Sequence, residues 1–300
     1  MKTIDTLQKD IQHVLNTGEG WTREISQWVA DDIAKSLDRQ FSSIGKERKR
    51  TLRASNLGTP CERKLWFHVN SRIDPEPLPA STRNKFIFGD LTESYILGLV
   101  KAAGHTLEGL QDSVDVFGIR GSRDCVIDGM LFDVKSCSTR AFDKFKYGKL
   151  REDDPFGYIS QLSTYLYGSR DHSIVTNKTH AGFLAFDKQF GHIAVDVYDM
   201  SEELEQKEQE VLRKLHIVNE VEPPERPTWP RYYRGELQEQ EQDWAEGKSG
   251  NRKLATNCSY CDFKKECWPE LRKFLYSSGP MYLTKVVREP GGSVFEDKGF

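Results

Sequence analysis

The sequence predicts a mixed α/β fold: a small mixed central sheet flanked by helices, with helical additions at both ends. Three observations predict it. Segments with apolar residues at helical spacing open the chain, strand-like runs dominate from about residue 113 to 199, and a long charged helical stretch follows Met200. With 300 residues the chain has ample material for a core, as one large domain or two modest ones.

The elements follow in order. Ile4, Leu7, Ile11, Val14 and Leu15 recur at helical spacing, as do Ile25, Trp28, Val29, Ile33 and Leu37, so two amphipathic helices meet near "NTGEG". A basic link, "SSIGKERKRTLRASNLG", leads to a third helix through "FIFGDLTESYILGLVKAAG". Strands are expected at "SVDVFGI", in a hairpin around Asp128-Gly129, and at "AGFLAFDK" and "HIAVDVYD", with a helix at "GYISQLSTYLYG". The Pro-rich "VEPPERPTWPRYYRG" cannot be regular helix and reads as a linker before "CSYCDFKKEC" and a polar tail. No internal repeat or low-complexity block appears. The expected organisation is a helical region over 1–50, a core over 51–200, and a helical, cysteine-bearing region over 201–300 that packs back on it.

The hairpin "RDCVIDGMLFDVKS" sets the chemical question. Asp-Gly between two apolar runs signals a two-residue turn in which both positions take positive φ. Counting outward, Ile127 faces Met130, Val126 faces Leu131, Cys125 faces Phe132 and Asp124 faces Asp133; Lys135 shares the face of Asp133. Two carboxylates this close repel unless a proton or a cation lies between them. Magnesium or manganese, hard cations that prefer carboxylate oxygens, suit that place. A hairpin whose charged side simply faces water would carry the same three residues.

The formal charge of −3 hides local asymmetry. Lys46, Arg48, Lys49, Arg50, Arg53, Arg63 and Lys64 make one basic stretch, and Arg140, Lys144, Lys146, Lys149 and Arg151 a second, whereas the segment from Asp199 to Glu246 is acidic. This suits a polyanion on one face and a solvated acidic face elsewhere. No apolar run approaches the ~20 residues of a membrane span, and the amino terminus is too polar for a signal peptide, so a cytoplasmic protein without structural disulfides is expected. Among the six cysteines, Cys258, Cys261 and Cys267 form C-x2-C-x5-C, which lets three thiolates converge on one metal centre. Cys61 is the natural fourth ligand, while Cys125 and Cys137 read as core residues. Four thiolates hold zinc or an iron–sulfur cluster, and spacing does not separate the two. The seven histidines show no ligand spacing. "GKS" at 247–249 lacks the glycine of a phosphate-binding loop, since Gln242 stands there, so no ATP-driven motor is encoded.

Taken in order from about residue 51 to 267, these segments resemble RecB-type nucleases of the PD-(D/E)xK superfamily, especially their iron–sulfur branch. That branch includes the CRISPR-associated adaptation exonucleases, the nuclease domain of the AddAB helicase–nuclease B subunit and phage-encoded relatives. "RASNLGTPCERKLWF" resembles the segment of the first cluster cysteine, Cys61; "GDLTE" the Gly-x-x-x-Glu helix motif with Glu93; "GSRD" the segment ending in the metal-binding Asp124. "DVK" is similar to the (D/E)-x-K element with Asp133 and Lys135, "QLSTY" to the Gln-x-x-x-Tyr helix motif with Gln161 and Tyr165, and "CSYCDFKKEC" to the closing cysteine triplet. Two departures stand out: Arg123 replaces the proline of the superfamily name, and Ser122 stands where many relatives have histidine.

The resemblance implies a restriction-endonuclease-like core joined to its terminal additions by a four-cysteine cluster. It implies a metal-dependent DNA exonuclease, acting on single-stranded ends, in recombination, repair, phage DNA metabolism or CRISPR-type adaptation, with a helicase or recombination protein as partner. Glu93, Asp124, Asp133 and the Val134 carbonyl would hold Mg2+ or Mn2+, Lys135 would orient or activate the attacking water, and Gln161 and Tyr165 would contact the substrate. Cys61, Cys258, Cys261 and Cys267 would hold a [4Fe–4S] cluster, with zinc as the alternative, and Arg48, Lys49, Arg50, Arg53, Lys144 and Lys146 would meet DNA. A rival class is a non-catalytic nucleic-acid-binding module with a structural four-cysteine zinc site; it predicts no metal-dependent cleavage.

Overall fold

A computed structural model describes residues 2–46, 50–71, 80–226, 229–233, 236–240, 243–245, 249–277 and 279–300, with the side chains of 229–245 outside the description. Arg48, Lys49, Gly247 and Lys248 therefore lie outside the described residues. The chain divides into two compact units: Met1–Gly58, Pro77–Arg151 and Tyr158–Leu212 form the first; Thr59–Glu76, Glu152–Gly157 and Arg213–Phe300 form the second.

Along the chain come α1 (Ile4–Thr17), α2 (Arg23–Ser42), α3 (Ala54–Leu57), α4 (Glu62–Asn70) and α5 (Ala80–Ala102). The strands β1 (Leu107–Glu108), β2 (Ser113–Val116), β3 (Ile119–Ser122), β4 (Cys125–Ile127) and β5 (Met130–Cys137) follow. Then come α6 (Thr139–Lys146), α7 (Tyr158–Ser169), β6 (His180–Asp187), β7 (Ile193–Asp199) and α8 (Ser201–Val218). All but α4 and the end of α8 belong to the first unit. Its central sheet has the order β1-β4-β5-β6-β7. Only β5 and β6 run parallel; the other pairs are antiparallel, so the sheet is mixed.

Alternation along the strands covers both faces. Val126, Leu131, Phe183 and Ala185 pack with Phe142 and Phe145 of α6 and Leu162, Tyr165 and Leu166 of α7. Cys125, Ile127, Phe132 and Leu184 pack with Leu7, Ile11 and Val14 of α1 and Ile96, Leu99 and Val100 of α5. The amino-terminal helices thus share a core with the sheet. The expected helical spacing of α1 is what buries Leu7, Ile11 and Val14, and Gly18 ends the helix in the left-handed region, its N–H donating to the Val14 carbonyl. No described helix is long and apolar enough to cross a membrane.

The hairpin has the register that counting from Asp128-Gly129 predicts: Ile127↔Met130, Val126↔Leu131 and Cys125↔Phe132. Asp128 and Gly129 take φ of 47° and 79°. The Asp128 carboxylate does more than shape the turn: Oδ1 accepts from the Thr106 N–H at 2.9 Å and Oδ2 meets His105 Nδ1 at 2.6 Å. The buried His105 ring then reaches Asp10 of α1 through Nε2 at 3.2 Å. Burial works against the charge of Asp128, yet the His105 and Thr106 bonds outweigh it and hold its carboxyl below the usual range. Asp128→Ala should therefore destabilise the protein by about 2–3 kcal/mol, because it strands a buried imidazole; urea unfolding measures this, and an unchanged midpoint would exclude the role.

Two elements differ from expectation. "SVDVFGI" is not one strand: Phe117 and Gly118, at φ of 53° and 81°, turn the chain back so that β2 pairs with β3. The region after α8 is not mainly helical. It carries β8 (Trp229–Tyr233), β9 (Glu236–Gln240), β10 (Asp243–Ala245) and β11 (Arg252–Leu254), then short helices α9 (Thr256–Ser259) and α10 (Lys264–Cys267). After these come β12 (Arg272–Tyr276), β13 (Gly279–Lys285) and β14 (Phe295–Glu296). The order β10-β11-β13-β12-β14 makes a second, antiparallel sheet. Its strands are too short to print a clear period, and the Pro-rich segment read as a linker holds β8, which pairs with β9.

Candidate active site

The end of the hairpin gathers carboxylates. Asp133 on β5 is 3 % exposed. The Asp124 side chain is not simply opposite it, because Asp124 Oδ2 accepts from the Val134 N–H at 3.0 Å. Glu93, on α5, is the third member. Burial, then the charges of Asp133 and Asp90, pushes its carboxyl up to about 7. Burial, then Asp133 and Glu93, pushes Asp124 well above the carboxylate range. Burial and like charge both act to keep protons on Glu93 and Asp124.

Lys135 answers that charge. Its Nζ lies 2.5 Å from Asp133 Oδ2 and 4.7 Å from the ring centre of Tyr158. Burial opposes the ammonium, but Asp133 and Asp124 outweigh it and raise its pKa above the ordinary lysine value. The Lys135 ammonium is thus the charge that compensates the buried Asp133 Oδ2. One ammonium does not balance Asp133, Asp124 and Glu93 together, and the remaining negative charge suits a hard cation. Among the described residues, no three His, Cys, Asp or Glu side chains are already gathered around one point as a metal ion requires.

Gln161 and Tyr165 share a face of α7, with Gln161 Nε2 donating to Tyr165 Oη at 3.2 Å. Tyr158 at the start of the same helix lies against Lys135, which places α7 beside the carboxylates, and burial, foremost, raises the Tyr165 phenol against the lowering Gln161 bond. Two residues escaped the sequence reading. Tyr158 stands one helical turn before Gln161, a spacing that could have disclosed it. Gln111 left no such signal: at φ 54° it donates from Nε2 to Glu93 Oε1 at 2.9 Å and from its backbone N–H to the Asp124 carbonyl at 3.1 Å. On the expectation that Glu93 is a metal ligand, Gln111→Leu should weaken Mn2+ affinity about tenfold, as loss of a ligand-orienting partner does; calorimetric titration with Mn2+ tests this, and an unchanged affinity would dismiss Gln111.

Arg123, in the place of the superfamily proline, is a brace. Fully buried, it donates to Asp112 Oδ2 at 2.6 Å and to the Gly109 carbonyl at 3.4 Å. Gly109, at φ 60°, is required there, since a Cβ would stand 2.7 Å from the guanidinium. The brace fixes the loop that carries Gln111.

The second unit brings the four predicted cysteines to one cavity, lined by Cys61, Cys258, Cys261 and Cys267 with Arg63, Lys64 and Lys264. Cys61 caps α4, its sulfur accepting from the Lys64 N–H at 3.4 Å. Burial, foremost, pushes the Cys261 thiol up to about 11 and raises Cys61 too, with Lys64 opposing both. Cys125 and Cys137 are buried core thiols elsewhere. Of the basic residues, Arg50, Arg53 and Lys146 are exposed and Lys144 is half-buried.

No protein-family model matches the chain, and no curated protein does. Among solved structures, one described as the crystal structure of SSO0001 is similar at a TM-score of 0.39 and 14 % identity, over 80 % of this chain and 94 % of that one.

Proposed function

We propose that this chain is a metal-dependent deoxyribonuclease of the RecB-like PD-(D/E)xK type, hydrolysing phosphodiesters from single-stranded DNA ends. The observation that carries the reading is the Asp133–Lys135 ion pair on β5 with Asp124 bonded to the same strand at Val134 and Glu93 tied to the Asp124 backbone through Gln111. One ammonium set against three carboxylates leaves an excess of negative charge that a purely structural cluster does not account for. Mg2+ or Mn2+, held by these carboxylates and, on the resemblance, the Val134 carbonyl, would supply charge neutralisation at the phosphate and a more acidic bound water.

The chain's own residues supply the rest. Lys135 stays an ammonium, oriented by Asp133 and the Tyr158 ring, and its N–H groups can meet the attacking water or a phosphate oxygen. Gln161 and Tyr165 offer an amide and a phenol to the substrate from α7. Arg50, Arg53, Lys144 and Lys146 offer charge to DNA. In the second unit, four thiols among three cations suit a dianionic four-cysteine centre, read as [4Fe–4S] on the resemblance and zinc otherwise. A cytoplasmic setting and a helicase or recombination partner belong to the same reading.

End-labelled single- and double-stranded DNA, linear and circular, incubated with magnesium, manganese or chelator, tests it. Metal-dependent shortening of linear single strands is expected. Equal loss of closed circles would sink the exonuclease claim, and no degradation with either metal would favour a binding module.

Proton coupling gives a further expectation. A cation requires Glu93 and Asp124 deprotonated, and Glu93 holds its proton up to about 7. Mn2+ affinity should rise with pH from about 6 to 8, with protons released on binding. In metal-free protein the sign reverses: a raised carboxyl pKa favours the folded state at low pH, so stability falls as pH rises from the ordinary 4.5 through about 7. Calorimetry in buffers of different ionisation enthalpy measures the release, and a pH-independent affinity would remove Glu93 from the ligand set.

A further inference from the structure

The β2–β3 ribbon ends in an anomaly. Its two-residue turn places Phe117 at φ 53° and Gly118 at 81°. Such turns favour Asn or Gly at the first position, and a bulky aromatic there is a costly outlier. Burial does not offset that cost, because Phe117 remains 43 % exposed. Its ring leans on Tyr167 of α7, with centres 5.9 Å apart and planes at 32°. Tyr167 in turn carries the exposed Arg170 guanidinium 4.0 Å from its ring centre.

We propose that Phe117, backed by Tyr167 and Arg170 and flanked by Arg120, is a stacking subsite for an unpaired base of a single-stranded nucleic acid running to the active site. This rests on the nuclease reading. An exposed aromatic face takes any base whose own faces are free, and a duplex hides those faces in its stack. Arg120, with a side chain 85 % exposed, and Arg170 complement phosphates. The nearby acids are few: Asp115 accepts from the Gly118 N–H at 2.8 Å and lies 3.9 Å from Arg120, and Asp171 is exposed.

Continuity with the site supports the assignment. The ribbon leads through Ser122 and Arg123 directly into Asp124, and α7 also carries Gln161 and Tyr165. The two elements are locked together at Gly168, where a Cβ would meet Val116 Cγ2 at 2.8 Å and the Asp115 carbonyl oxygen at 3.1 Å. The platform therefore keeps a fixed position relative to the catalytic face, no more than about 23 Å along the chain from Asp124.

The test separates this use from a folding role. Asn suits the turn better than Phe, so Phe117→Asn should be at least as stable as the parent. In a Lys135→Ala background, which removes cleavage, anisotropy of a labelled oligothymidylate reports binding. Phe117→Asn should weaken it about tenfold and Phe117→Trp preserve it, with duplex affinity unchanged. Arg120→Ala and Arg170→Ala should each lower the slope of affinity against salt by about 0.7. Unchanged oligothymidylate affinity in Phe117→Asn, in a protein that binds and whose Lys135-containing form cleaves DNA, overturns the subsite alone. A parent that neither binds nor cuts nucleic acid overturns the nuclease reading with it.

Discussion

Lys135→Ala is expected to lower single-strand cleavage by about a thousandfold while leaving folding and DNA binding largely intact. The half-buried ammonium lies against Asp133, and no other described cation is placed on that carboxylate. Its loss should also leave a more negative cluster, so Mn2+ affinity should rise rather than fall. That sign separates Lys135 from the ligands: Asp124→Asn or Asp133→Asn should lose cleavage and metal affinity together. Paired measurements of turnover and Mn2+ binding check all three variants. Near wild-type turnover in Lys135→Ala would refute the assigned site.

The second large effect concerns the cysteines. Protein purified without oxygen is expected to be brown and to contain iron and acid-labile sulfide, with Cys61, Cys258, Cys261 and Cys267 as ligands. Cys61 precedes the β4–β5 hairpin and the triplet follows α8, so one centre would close a very long loop and restrict the unfolded chain. Replacing any of the four by serine should bleach the protein and cost several kcal/mol, since a centre bound only by the folded state contributes its binding energy to folding. Cys125→Ser and Cys137→Ser should keep the colour. A colourless protein with one zinc per chain would exclude iron and leave the carboxylate site untouched.

What was legible in the sequence had a local cause. Asp128-Gly129 dictates its own turn, and the register of β4 against β5 follows from it. The spacing of Cys258, Cys261 and Cys267 allows one cavity, and Cys61 joins it there. What was hidden had a distant cause. Phe117-Gly118 does not read as a turn, because phenylalanine is a poor left-handed residue and the support comes from Tyr167, fifty positions away. Gln111 orients Glu93 through a loop whose shape depends on the buried Arg123, and neither fact is written in "GLQD". The strands after Gly250 are brief and irregularly buried, so their pairing decides what their pattern could not.

The line from Asp10 through His105 to Asp128 has a kinetic meaning. It spans α1, the link between α5 and β1 and the hairpin tip, and Leu7, Ile11 and Val14 share one apolar cluster with Ile127 and Met130. The hairpin cannot open by fraying from its turn without breaking the imidazole's bonds and loosening α1. In native-state hydrogen exchange, the amides of α1 and of β4–β5 should then exchange as one cooperative unit, with similar opening free energies. A chain trimmed of its first seventeen residues would suffer its lesion some hundred residues downstream, as a breathing β4–β5 hairpin rather than a missing helix.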